Sequence, residues 1–282
     1  MKVEELKTAV KVQTIMKKGY SEDRFEGIYY KYFKNPRNKH TLLFLHGFTG
    51  NLSIWDEHIN QLKDKYNLLL IDLIGHGKSY SPKRIEEYSF KNQSNKILKI
   101  VNHLKISSIS IICYSYSISI GGFIFNAIPK KVKTIVFISP YFKENFTFME
   151  KQVLKCIKFI WKYLLPNKKF NLDYSKIENY EKPTLKDNKY TLNCINTKDV
   201  LGSVYSFANF EKVQNLKNFN TPLLIIYGKD DEMFSKKIKN RFKECTNIEF
   251  KVIKNKKHLF LKTMSKEIIK EINSFLIKHL WK

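Results

Sequence analysis

"SISIICYSYSISIGG", residues 108–122, sets isoleucines against small polar residues and ends on paired glycines. With Ser115 as a turn residue, a strand of ordinary length runs from Ile109 to Cys113. A helix then runs from about Tyr116 to Ala127, and Pro129 separates it from the next apolar run. With Ser119 at the turn, "SISIG" matches a Gly-x-Ser-x-Gly signature only at its last glycine, the strand becomes over-long and the helix is cut short. A sharp strand-to-helix elbow crowds the backbone, so small residues are needed two before and two after its centre. Cys113 and Ser117 meet that need around Ser115. Ser115 is therefore the preferred nucleophile, Ser119 the alternative, and a plain strand with no nucleophile the third reading.

Working outward, short apolar runs recur at 27–33, 41–45, 67–71, 109–113, 132–138, 222–227 and 248–253. Helical patterns fall between them, near 55–65, 90–104, 116–128, 235–245 and 264–279. Apolar strands alternating with amphipathic helices predict an α/β sheet covered on both faces. The first two runs are close enough in sequence to form a hairpin. The alternation breaks between about 141 and 218, where Val153, Ile157, Ile160 and Leu164 share a helical face. This predicts a core of 1–140 and 219–282 interrupted by a helical cap at 141–218.

Two further groups follow strands. Asp231 comes after "PLLIIY" in "GKDDEMF", and His258 comes after "IEFKVI" in "NKKHLFL". Open α/β sheets build their sites at the C-terminal ends of strands, and the order Ser, Asp, His is one of the known triad orders. His258 is the expected base and Asp231 the group that orients it. Asp230 is the adjacent alternative, and either aspartate could instead cap a helix beginning near Phe234. His46 and His76 are expected to shape turns, while His58 and His279 sit in helical patterns. Asp72 belongs to the turn "DLIGHG".

Together "LLFLHGFTG" (42–50), "LLLIDLIGHGKS" (68–79), "IICYSYSI" (111–118), "TPLLIIYGKDD" (221–231) and "KNKKHLF" (254–260) resemble the α/β-hydrolase-fold serine hydrolases. The resemblance implies a mostly parallel eight-stranded sheet and an esterase- or lipase-like activity. It assigns the oxyanion-binding backbone N–H groups to Phe48 and Tyr116, and through G-x-x-D it points from Gly228 to Asp231. The chain departs from the family at the elbow, where "CYSYSI" replaces Gly-x-Ser-x-Gly-Gly. "HGFTGNLSIW" also resembles menaquinone-pathway succinyl-hydroxycyclohexadiene carboxylate synthases, but those carry an arginine where this chain has Ser119. A thioesterase is compatible with the same groups, and the altered elbow is the argument for a non-catalytic binding scaffold. An aspartate at the elbow, as dehalogenases and epoxide hydrolases require, is absent.

Composition narrows the classes. Lys and Arg number 51 against 26 Asp and Glu, a formal net charge of +25. Nearly all the cations are lysines, which lack the bidentate fork of arginine, and no nucleic-acid motif accompanies them. A solvated lysine surface is the first reading and attraction to anionic lipid or other polyanions the alternative, with no specific nucleic acid expected. The presumed cap sets Phe146, Phe148, Met149, Phe159, Trp161 and Leu164 among lysines, which suits an ester or lipid-like small molecule. Four scattered cysteines form no CxxC, and no apolar run has the length of a signal or a membrane span. A cytoplasmic monomer, peripheral to membranes at most and without cofactor or metal, is the expectation.

Overall fold

The computed structural model describes residues 19–141, 147–163, 196–208, 220–233, 240, 242, 245–259, 261 and 264–280. One sheet of eight strands organises them, in the spatial order β1-β2-β4-β3-β5-β6-β7-β8. The strands are β1 (Ser21–Phe25), β2 (Ile28–Phe33), β3 (His40–Leu45), β4 (Asn67–Ile71), β5 (Ser108–Tyr114), β6 (Val132–Ile138), β7 (Leu223–Gly228) and β8 (Ile248–Ile253). From β4 to β8 every neighbouring pair is parallel, and only β1 with β2 and β2 with β4 run antiparallel.

The expected hairpin between the first two apolar runs does not form. β2 pairs with β4 and with β1, a strand not read from the sequence. The reason lies in burial. β3 is apolar on both faces and takes parallel partners on both edges, β4 and β5, which leaves β2 to continue the sheet beyond β4. β1, "SEDRF", is polar and half-exposed, as suits an edge strand, and carries no apolar run to mark it.

Six α-helices complete the described elements: α1 (Asp56–Leu62), α2 (Phe90–His103), α3 (Ile118–Ala127), α4 (Phe148–Tyr163), α5 (Thr197–Ala208) and α6 (Ser265–Leu280). Alternate strand residues point to opposite faces. Leu43, Leu45, Ile111 and Phe137 therefore join one core with Ile97, Ile100, Ile120 and Ile124 from α2 and α3. Leu42, Phe44, Ile112 and Val136 join the other with Ile59 and Leu62 of α1 and Ile268, Ile272 and Phe275 of α6. Both faces are covered, which is why the central strands read as unbroken apolar runs.

α4 and α5 lie between β6 and β7, inside the interval where the alternation broke. Leu154, Ile157 and Trp161 turn inward, and Trp161 Nε1 donates to the carbonyl of Lys198 at 2.8 Å, tying α4 to α5. α5 is tied to the sheet side by Asp199, which accepts hydrogen bonds from the Tyr88 hydroxyl and from Ser81 Oγ, the latter at 2.8 Å. Phe146, Leu164, Cys194 and most of the helix expected at 235–245 lie outside the described residues.

Candidate active site

Ser115 directly follows β5 with φ of 50°, in the left-handed region that a β-carbon makes costly for a residue other than glycine. It opens a short 3-10 turn, Ser115–Ser117, that leads into α3. The chain passes from β5 into α3 through one left-handed residue and one tight turn. Ser117 holds it. Its hydroxyl accepts the Tyr114 N–H at 3.1 Å and lies 2.9 Å from the Leu45 carbonyl, to which it donates. Where the resemblance expects glycine, this chain has a buried hydroxyl stitching the elbow to the end of β3. Cys113, two residues before Ser115, packs under Gly121, and burial pushes its thiol well above the ordinary thiol range. Ser119 lies buried within α3, past the turn.

Ser115 Oγ lies 2.8 Å from His258 Nε2, and His258 Nδ1 lies 2.9 Å from Asp231 Oδ2. The three groups form one hydrogen-bonded line across the C-terminal ends of β5, β7 and β8. With Asp231 accepting from Nδ1–H, Nε2 is left as an acceptor facing the serine hydroxyl. The Asp231 side chain is fully buried and that of His258 is 14% exposed, so the acid is shielded while the ring borders solvent. Asp231 Oδ1 accepts the Met233 N–H at 2.9 Å, which fixes the carboxylate plane. Asp230 is exposed and makes its contact through backbone, its N–H donating to the Lys256 carbonyl at 3.0 Å.

The position of His258 depends on a close approach. A β-carbon on Gly228 would lie 2.1 Å from the Lys256 carbonyl oxygen and 2.5 Å from that of Lys257. Only glycine at the end of β7 lets the segment after β8 pass this near. Two residues absent from the sequence reading finish the job. Ser139, at the end of β6 with φ of 44°, donates to the His258 carbonyl at 2.9 Å. The Tyr114 ring lies nearly parallel to the His258 ring, with centroids 6.4 Å apart. A serine just beyond a strand at the site edge is the only sequence signal that could have nominated Ser139.

Phe48 and Tyr116 stand side by side, their ring centroids 5.9 Å apart. The 46–50 turn is held from beneath by His46, whose Nε2 accepts the Leu73 N–H at 3.0 Å while Nδ1 donates to the Gly47 carbonyl at 2.8 Å. A β-carbon on Gly47 would come within 2.8 Å of the Tyr114 ring, so this turn too needs glycine to lie against β5. His76 donates from Nδ1 to the Ile74 carbonyl at 2.9 Å. Burial lowers both imidazoles, His76 to about 4, so they serve as neutral turn braces. Phe207 of α5 packs edge-on against Tyr116, Phe90 and Tyr141, an aromatic cluster that joins the insertion to the core beside the elbow.

Among the described residues no cluster of His, Cys, Asp or Glu could hold a metal ion, and no helix is long and apolar enough to cross a membrane. Of the described cysteines, Cys113 and Cys156 are free thiols.

Comparison with known proteins gives a consistent picture. The family described as "alpha/beta hydrolase fold" matches over residues 40–263. Pimeloyl-[acyl-carrier protein] methyl ester esterase of Wigglesworthia glossinidia brevipalpis is 29% identical over 223 residues, 76% of this chain and 83% of that protein. A putative 2-succinyl-6-hydroxy-2,4-cyclohexadiene-1-carboxylate synthase of Bacillus subtilis is 28% identical over 103 residues, 36% of this chain and 37% of that protein. The matches to the first curated relatives span about a third of their length. Among solved structures, MenH from S. aureus superposes with a TM-score of 0.72 at 21% identity, covering 89% of this chain and 98% of that one. An esterase from Thermogutta terrifontis gives 0.71 at 16% identity, covering 92% and 99%.

Proposed function

This chain belongs to the α/β-hydrolase family, and from that premise we propose that it is a serine hydrolase cleaving a carboxylic ester through an acyl-enzyme. The observation that carries the reading is the hydrogen-bonded line Ser115–His258–Asp231, set on a left-handed Ser115. His258 Nε2 takes the Ser115 proton as Oγ bonds to the ester carbonyl carbon. The carbonyl oxygen becomes an oxyanion, received by the backbone N–H groups of Phe48 and Tyr116. Collapse breaks the carbon–oxygen bond to the leaving group, which departs as an alcohol with the proton from His258. Water then attacks the acyl-enzyme by the same path in reverse, releasing the carboxylic acid and restoring the serine. Asp231 orients the ring and stabilises the imidazolium.

α4 and α5 are read as part of a cap at 141–218 over a core of 1–140 and 219–282. The exposed Phe48 ring, beside the buried Tyr116 that follows Ser115, supports an uncharged acyl group as the preferred substrate portion. A synthase of the succinyl-hydroxycyclohexadiene type is the second reading, favoured by the likeness to the putative Bacillus subtilis synthase. Ser119, buried and uncharged where the resemblance expects arginine, weighs against it.

The test is hydrolysis of p-nitrophenyl esters of increasing acyl length. Ser115→Ala should lose catalysis by a factor on the order of 10⁴, while Ser119→Ala keeps most of it. If Ser119→Ala is the inactive variant, the nucleophile is misassigned. If neither substitution matters and a fluorophosphonate probe labels nothing, a binding scaffold replaces the enzyme.

A further inference from the structure

α4 carries apolar side chains on both of its faces. The inner face, Leu154, Ile157 and Trp161, is accounted for by packing against α5 and the core. On the outer face, large apolar side chains remain exposed. Phe148 is 74% exposed, Met149 70%, Phe159 58% and Tyr163 62%. At 100° per residue, Phe148, Phe159 and Tyr163 fall within one narrow outward stripe. Phe159 and Tyr163 keep their rings together, with centroids 5.1 Å apart. Exposed aromatics in one stripe are not the scattered apolar residues that any surface carries.

Lysines edge this stripe. Lys155 and Lys162 are exposed beside it, and Lys162 Nζ sits 4.7 Å from the Tyr163 ring centroid. Lys158, the next lysine round the helix, is engaged at 2.5 Å with Glu86 and marks where the face returns to the body of the protein. The helix holds a single acidic residue, Glu150, and the whole chain carries a formal +25.

We propose that the outer face of α4 is a docking surface for an anionic lipid bilayer, with Phe148, Phe159 and Tyr163 entering the headgroup–acyl boundary and Lys155 and Lys162 meeting lipid phosphates. The pairing of chemistries selects this occupant. Aromatic rings suit the membrane interface, and lysines beside them match a negative surface; a second copy of this chain would bring lysine against lysine. Docking would set the insertion against the membrane, where esters of lipid-like alcohols or acids are concentrated. The surface does not rest on the hydrolase reading, since it is defined by residues remote from Ser115 in sequence and by a binding event without chemistry.

The experiment is co-sedimentation of the full chain with vesicles, either equimolar phosphatidylglycerol and phosphatidylcholine or phosphatidylcholine alone. Wild type should bind the anionic vesicles at low salt and be released as ionic strength rises. The triple variant Phe148→Gln, Phe159→Gln, Tyr163→Gln should bind about tenfold more weakly or worse, with an unchanged melting temperature because these side chains support no core. Lys155→Glu with Lys162→Glu should abolish the preference for anionic lipid. Ser115→Ala should bind as wild type does, which separates this surface from the catalytic proposal. The inference is overturned if wild type ignores both vesicles, if the aromatic variant binds as well as wild type, or if that variant instead converts a dimer to a monomer.

Discussion

Ser117 stands where the resemblance leads one to expect glycine, and it does more than occupy that place. Its hydroxyl joins the Tyr114 N–H and the Leu45 carbonyl, two groups from neighbouring strands at the exact height of the site. The side chain is fully buried, so removing it leaves both backbone groups without water to replace it. Ser117→Ala should cost about 1–3 kcal/mol of stability by denaturant titration. If Phe48 supplies an oxyanion donor, loosening the end of β3 should lower kcat more than it raises KM. An unchanged kcat with reduced stability would leave Ser117 as a purely structural brace. The residue type at 117 was visible as "small" in the sequence. The hydrogen bond across to Leu45 was not, because the two residues meet only once β3 and β5 are paired.

At the scale of elements, the decisive contact is between the ends of β7 and β8. Gly228 closes β7 and lies directly under the carbonyls of Lys256 and Lys257, the two residues preceding His258. The Lys229 N–H donates to Ile253 at 2.8 Å and the Asp230 N–H to Lys256 at 3.0 Å, so the two strand ends are laced together just before the acid and the base diverge from them. Gly228→Ala would force this segment away and displace His258 from Ser115. The expected result is a loss of about 100-fold in kcat, with Ser115 still present and the sheet intact by circular dichroism. Full activity in that variant would show that the loop yields without moving the imidazole. The same scale shows where sequence periodicity succeeds and fails. Strands β3 to β8 and helices α2, α3 and α6 follow the apolar patterns closely, because each buries a face whose period is its own. β1 escapes, because an edge strand can remain polar and still form a ladder with β2.

For the molecule as a whole, buried imidazoles dominate the expected response to acid. His40, His58 and His76 are each lowered to about 4 by burial, and His46 is lowered as well. In the unfolded chain a histidine takes up its proton near pH 6.5. The stability that neutral imidazoles contribute is therefore complete above that pH and lost as pH falls toward 4. Asp72, raised to about 6 by burial, and Asp199, also raised by burial, act in the opposite sense, since protonation relieves their desolvation. With four imidazoles against two carboxyls, the melting temperature should fall between pH 6.5 and 4.5. His58 offers the cleanest check, because neither of its ring nitrogens has a hydrogen-bond partner among the described residues. His58→Leu should flatten the pH slope and raise stability at neutral pH by about 1 kcal/mol. A slope unchanged by this substitution would mean that the ring is protonated or solvated in the folded state.

By itself, the sequence determined the architecture and the order of the candidate catalytic groups. Apolar runs of strand length between helical periods require a sheet buried on both faces, and Ser115, Asp231 and His258 each follow such a run. Each of those features is local, a run and the residues just after it, written within ten or fifteen positions. Tertiary structure alone decided strand neighbours, since β2 seeks β4 across 34 intervening residues between Phe33 and Leu68. It also decided that Ser139 and Ser117 brace the site, that Asp199 fastens α5 to Tyr88, and that α4 turns aromatic side chains away from the core. Periodicity reports which residues share a face. It is silent on what that face meets, because the partner is distant in sequence and the contact exists only after the chain has closed around it.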